Sequence, residues 1–406
     1  MSSARPALTH PPFRLYLFAR FLALCAHQMM AVSLAQYVYE ETHNPFYLGL
    51  IGLTIFLPKF GLTLPAGHVA DRYSRQKVVL ISRGMEFLGV LGMFLYALAH
   101  LHFLGLLYGL LFLVSVAYSF DGPANQAIVT ELVPIEHFGN AVTWNSSVMQ
   151  IAFVTGPAIA GWLYAYSGSP LLVFGMMTLF RLVSALLVRK IPRYPAPSQD
   201  TSSSWKTIAA GLRFVFQTKI ILGIISLDLF AVLLGGAVGL LPVYANDILH
   251  VGANGLGILR AAPSVGAAVM ALLMAHLPSM KQAGKKMFLC VALFGVMTLL
   301  FGISKNFYFS IFCLVILGAA DMISVVIRGV LVQTKTPPEM RGRVSAVNLI
   351  FIGASNELGE FESGLTASWF GTIPAVVLGG LGTLAVVGIW SWKFPEIRKY
   401  ESLQES

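Results

Sequence analysis

Residues 67–77 read GHVADRYSRQK, where one apolar run (46–70) gives way to the next (79–99). Asp71, Arg72, Arg75 and Lys77 crowd into this short stretch, and neither neighbouring run matches that density of charge. Each run has the roughly 20 residues that an α-helix needs to cross hydrocarbon. Two such runs joined by a short charged turn read as a helical hairpin that crosses a bilayer twice. Barrel strands would be about half as long and would alternate in polarity.

Ten further runs follow the same rule: 14–39, 104–127, 139–166, 171–189, 219–246, 253–276, 287–304, 306–333, 344–370 and 373–393. The expected fold is therefore an all-α membrane protein with twelve transmembrane helices in two six-helix bundles. Composition agrees. Of 406 residues, 56% are hydrophobic and 11% charged, at a mean hydropathy of +0.75. Soluble chains carry about 25% charged residues.

Lys and Arg collect on the cytoplasmic side of helical membrane proteins. With the N-terminus inside, twenty-one of them fall on inner segments or helix ends, among them Arg5, Arg14, Arg83, Arg193, Lys206 and Lys281. The outer loops hold Lys305 alone. The expectation is a multi-pass protein of the bacterial inner membrane with both termini cytoplasmic. The net charge of +9 then reports topology, and no nucleic-acid partner is expected. The first thirteen residues are too short and polar for a signal peptide. Cys25, Cys290 and Cys313 lie in apolar runs as small hydrophobes, without disulfide or metal spacing.

The longest polar interruption, RKIPRYPAPSQDTSSSWK at 189–206, is rich in Pro and Ser as a linker should be. WKTIAAGLRFVFQTK follows and suits an amphipathic helix at the inner surface. Residues 1–190 and 219–406 are thus expected as six-helix bundles, with 191–218 as a cytoplasmic linker. A weak repeat supports this division. PKFG (58–61) matches PSVG (263–266) at an offset of 205. PIEHFG (134–139) matches PPEMRG (337–342) at 203, the offset that also pairs Asn145 with Asn348, Gly156 with Gly359 and Gly161 with Gly364.

G-x-x-x-D-R-x-x-R between the second and third helices, in a twelve-helix chain with a long central loop, resembles the major facilitator superfamily. PPEMRGRVSAVNLIFIGASNELGEFESG (337–364) is similar to the enterobactin-exporter type within it. The resemblance implies a secondary transporter that works by alternating access. It also places Asp71 against the N-terminus of the eleventh helix, a positive dipole end. Gly67 is expected to admit a neighbouring helix closely. Arg72 and Arg75 are expected to meet Glu131 or Glu136 on the next inner loop, so that Gly67, Asp71, Arg72, Arg75 and Glu131 form a gate that closes in one state and opens in the other. The second half carries HLPSMKQAGKK at the matching place, without the Asp-Arg pair. TGPAIAG in the fifth helix resembles the Gly-Pro motif of proton-coupled exporters, with Ala160 where a second Gly is common.

Ionisable residues inside a membrane are rare and tend to be functional. Arg20 and His27 share a face of the first helix, Lys59 is on the second and Asp121 on the fourth. Arg181, Asp228 and Arg260 follow on the sixth to eighth, and Asp321 and Arg328 share a face of the tenth. Glu357, Glu360 and Glu362 lie on the eleventh, in GASNELGEFESG (353–364), the first two one turn apart. Two carboxylates so close can share a proton, so Glu357 and Glu360 lead as proton-coupling candidates, with Asp321 and Asp228 next. A fixed ion pair between Arg328 and Glu357 is the structural alternative. The Arg that the superfamily usually carries in the fourth helix is absent. Arg20, His27, Lys59, Asp121, Arg328, Asn348 and Asn356 are expected to contact substrate.

The expected function is proton-driven export of a small metabolite such as a siderophore. The alternatives are a multidrug/proton antiporter for amphipathic cations and a transporter-like sensor without turnover. G-x-S-x-G, H-E-x-x-H and the phosphate-binding G-x-x-x-x-G-K-[ST] loop are all missing. Neither an enzyme nor an ATPase subunit is therefore expected. The expectation is a monomer in lipid that uses the proton gradient, with no cofactor and no metal.

Overall fold

The computed structural model describes residues 6–192, 205–276 and 282–399, without the side chains of 64 and 205–208. Arg5, Arg193, Lys281, the side chain of Lys206 and linker residues 193–204 lie outside the described residues. What is described is helical, with no strand.

The helices are α1 (Pro11–Thr42), α2 (Pro45–Arg72), α3 (Arg75–Leu98), α4 (Leu104–Leu132), α5 (Phe138–Ser167) and α6 (Leu171–Arg189), then α7 (Trp205–Gln217) and α8 (Lys219–Leu234). They continue with α9 (Gly252–His276), α10 (Ala283–Ile303), α11 (Phe307–Lys335), α12 (Arg341–Phe370) and α13 (Thr372–Lys393). Among the described residues, eleven spans are long and apolar enough to cross a membrane. The twelfth is α12, whose 30 residues give it the length while Glu357, Glu360 and Glu362 lower its hydropathy. The protein is a multi-pass membrane protein.

The repeat is visible in the elements themselves. α4 and α11 both have 29 residues, and α5 and α12 both have 30, each pair at the offset of 203. A single 3-10 turn precedes α5 (Ile135–His137) and another precedes α12 (Pro338–Met340). Packing repeats too. α3 lies against α4 and α6, and α10 lies against α11 and α13. Small residues make such packing close. In the second half, Gly266 of α9 meets the Val315 carbonyl of α11, and Gly318 of α11 meets the Pro263 carbonyl of α9. A Cβ on either glycine would collide with backbone.

The chain clusters into two compact units, residues 1–41 with 57–203, and 42–56 with 204–406. Residues Thr42–Phe56, expected with the N-terminal bundle, thus cluster with the second unit. The cause is local: a Cβ on Gly49 would lie 2.9 Å from the Phe361 carbonyl oxygen, and one on Gly52 2.6 Å from that of Glu357. The first turns of α2 therefore meet α12 backbone to backbone.

The seventh span corrects a second expectation. It is not one helix from 219 to 246. α8 stops at Leu234, and Gly235 and Gly236 lead into a 3-10 turn (Ala237–Leu240), a short helical turn (Leu241–Val243) and a π turn (Tyr244–Ile248). Two adjacent glycines weaken the helix, and Pro242 has no N–H to bond backward. The break is covered by α12: a Cβ on Gly236 would lie 2.7 Å from the Gly359 carbonyl oxygen.

Candidate transport site

Each unit carries its own buried charges. In the first unit they converge from α3, α4 and α6. Arg83 Nη2 lies 2.9 Å from Asp121 Oδ2, and its Nη1 lies 3.7 Å from Glu86 Oε2. Arg181 forms a close ion pair with the same Glu86 oxygen. Exposure is 3% for Arg83, 0% for Glu86, 3% for Asp121 and 1% for Arg181. Two cations therefore meet two carboxylates, and all four are withdrawn from solvent. Such a set persists only when every charge is matched, because desolvation costs several kcal/mol per ion.

This cluster corrects two sequence expectations. Arg83 does not belong with the cytoplasmic charges, because it sits inside the bundle. Asp121, expected to contact substrate, is instead held by Arg83 through Oδ2. Arg83 and Glu86 were overlooked as buried charges, although RGMEF inside the third apolar run carried the signal.

Beside the cluster, Arg20 Nη1 donates to the Tyr16 hydroxyl at 3.1 Å, and that hydroxyl donates to the Asn125 carbonyl at 2.9 Å. The His27 ring stacks on Tyr118 with centroids 4.4 Å apart. Lys59 is half-buried on α2. Of the expected gate, the structure joins Arg75 to Glu131 at 2.9 Å, with further bonds from Arg75 to the Ala127 carbonyl and the Thr130 hydroxyl. Glu136, Asp71 and Arg72 are exposed. Gly67 does not serve a close crossing: a Cβ there meets nothing within 4 Å. Gly156 of α5 does, since its Cβ would lie 2.7 Å from Gln28 Cβ on α1.

In the second unit, Arg328 of α11 pairs with Asp228 of α8. Arg260 of α9 pairs with Glu360 of α12 at 3.2 Å. These contacts overturn two expectations. Arg328 has Asp228 as its ion-pair partner, not Glu357, because α8 lies beside α11 at this level. Glu360 does not form a carboxylate couple with Glu357, because it turns to Arg260. Glu357 is half-buried, and Glu362 accepts a hydrogen bond from Thr366 at 2.7 Å. Asp228, Asp321 and Ser324 line one cavity with Cys290 and Phe294 of α10. Asn348 is half-buried, and the exposed Asn356 donates to the Ile352 carbonyl of its own helix at 3.0 Å. Among the described residues no cluster of three or more His, Cys, Asp and Glu could hold a metal.

Residues 2–405 match the family described as transmembrane secretion effector. The chain belongs to that family, within the major facilitator superfamily. It is a secondary transporter and not an enzyme. Enterobactin exporters EntS are similar over nearly the whole chain. That of Escherichia coli O1:K1 is 28% identical over 383 residues, covering 93% of this chain and 86% of the relative. That of Citrobacter koseri is 28% identical over 390 residues at the same coverage. Among solved structures, the nucleoside transporter NupG gives a TM-score of 0.69 at 15% identity, covering 96% of this chain and all of that one. A peptide transporter POT in complex with sulfate gives 0.72 at 13% identity, covering 97% of this chain and 96% of that one. These likenesses establish the fold.

Proposed function

We propose that this protein exports a siderophore or a closely similar small metabolite by alternating access, driven by the proton gradient. The observation that carries the reading is the similarity to enterobactin exporters over 93% of the chain. The distribution of Lys and Arg favours an inner-membrane protein with both termini cytoplasmic. The chain works as a monomer in lipid, without an ATPase subunit, nucleic-acid partner or cofactor. Arg20, Lys59 and the polar groups around them suit an anionic, hydrogen-bonding ligand. The Arg75–Glu131 pair is the part of the gate that can open and close with the transport cycle.

Counterflow in proteoliposomes tests the substrate class, using enterobactin, a hydroxamate siderophore and cationic dyes. Exchange of a siderophore is expected. Exchange of dyes alone would replace this reading with multidrug/proton antiport, and exchange of nothing would favour a sensor without turnover.

A further inference from the structure

The second unit holds two interior arginines, Arg260 and Arg328, against five interior acids: Asp228, Asp321, Glu357, Glu360 and Glu362. The arginines are committed to Glu360 and Asp228. Glu362 accepts from Thr366, and Glu357 has contacts of its own. Asp321 differs from all of them. Among the described residues it is the interior carboxylate with neither a hydrogen bond nor an ion pair, yet it opens on the cavity that Asp228 also lines.

We propose that Asp321 is the carboxylate that binds and releases the transported proton, and that the Arg328–Asp228 pair beside it is the switch for release. This rests on the proton-driven reading above and names its residue. The chemistry follows from charge. Arg328, Asp228 and Asp321 together carry one negative charge when Asp321 is ionised and none when it is protonated. A low-dielectric cavity favours the neutral set. A carboxylate without a fixed partner gives up its proton only when water or a cation reaches it. Arg328 is two turns away on the same face of α11, and its guanidinium can lean from Asp228 toward Asp321 as the cavity opens. The proton then leaves to water, and its return frees Arg328 for Asp228. The other groups presented by the packed helices are the Cys290 thiol of α10, Arg260 of α9 and Glu357 and Glu360 of α12. Of these, the Cys290 thiol lines the cavity. The second carboxylate there is Asp228, which Arg328 holds.

Two measurements on the full-length protein in lipid test this. The first needs no substrate: infrared difference spectra across a pH titration follow the carbonyl stretch of protonated carboxyl groups. A titrating band is expected in the wild type, lost in Asp321→Asn, moved in Asp321→Glu and kept in Glu360→Gln. The second uses enterobactin in proteoliposomes. Each proton exchanged lets a one-unit pH difference hold about a tenfold substrate gradient. Asp321→Asn should abolish that gradient while counterflow continues. A band that survives Asp321→Asn, or that vanishes in Glu357→Gln instead, overturns the proposal. Failure of the wild type to carry any compound would sink the export reading, and the infrared band would still decide the role of Asp321.

Discussion

The first unit buries Arg83, Arg181, Glu86 and Asp121 as two cations against two acids, each touching an opposite charge. The second buries Arg328 with Asp228 and leaves Asp321 over. The first arrangement is closed: a proton added there would break a matched pair. The second is open by one acid, and a proton added there completes it. Two halves built on one repeat thus use buried charge in opposite ways. Balance fixes the packing of α3, α4 and α6. Imbalance between α8 and α11 is the feature on which the proposed proton site rests.

The largest effect should come from unbalancing the first unit. Arg181→Ala leaves Glu86 with the longer contact to Arg83 alone, and removing one partner of a buried pair costs about 3–5 kcal/mol. A sharp drop in the melting temperature of the purified protein is expected, along with poor yield. A melting temperature within the scatter of the wild type would mean the cluster is hydrated, and the contrast between the units would fall.

A smaller effect, of opposite sign, should follow in the second unit. Asp321→Asn removes an unpaired acid while keeping its shape, so stability should hold or rise by about 1 kcal/mol. Thermal melts on the same preparation check this. A loss as large as that of Arg181→Ala would show Asp321 to be a structural partner after all.

The smallest effect should come from Arg75→Gln. Arg75 and Glu131 remain partly exposed, at 19% and 15% of their side chains. Pairs of that kind contribute about 0–1 kcal/mol. Little change in melting temperature is expected, with a measurable change in the labelling of cysteines introduced along α4. Unchanged labelling together with unchanged transport would remove this pair from the gate.

Much of the molecule was legible in the sequence because its determinants are local. A span needs about 20 apolar residues wherever it packs, so the twelve runs, the short charged turns and the 203-residue repeat could be read directly. The charged turn 67–77 and the segment 337–364 also carried the family. The break after Leu234 was less legible, since Gly is frequent in membrane helices without ending them, and the sequence does not show that the Gly359 carbonyl lies against Gly236.

The pairing of buried charges was decided by tertiary structure. Sequence spacing placed Glu357 and Glu360 one turn apart and made them look like partners. A side chain such as Glu360, however, reaches across to another helix, and the helix it meets depends on packing. Glu360 found Arg260, Arg328 found Asp228, and Arg83, counted at first with the cytoplasmic charges, found Asp121 and Glu86. A periodic pattern fixes which face of its own helix a charge occupies. Which opposite charge faces it is settled only when small residues such as Gly266 and Gly318 bring particular helices together, because a Coulomb interaction in a low dielectric depends on ångström distances between residues far apart in the chain.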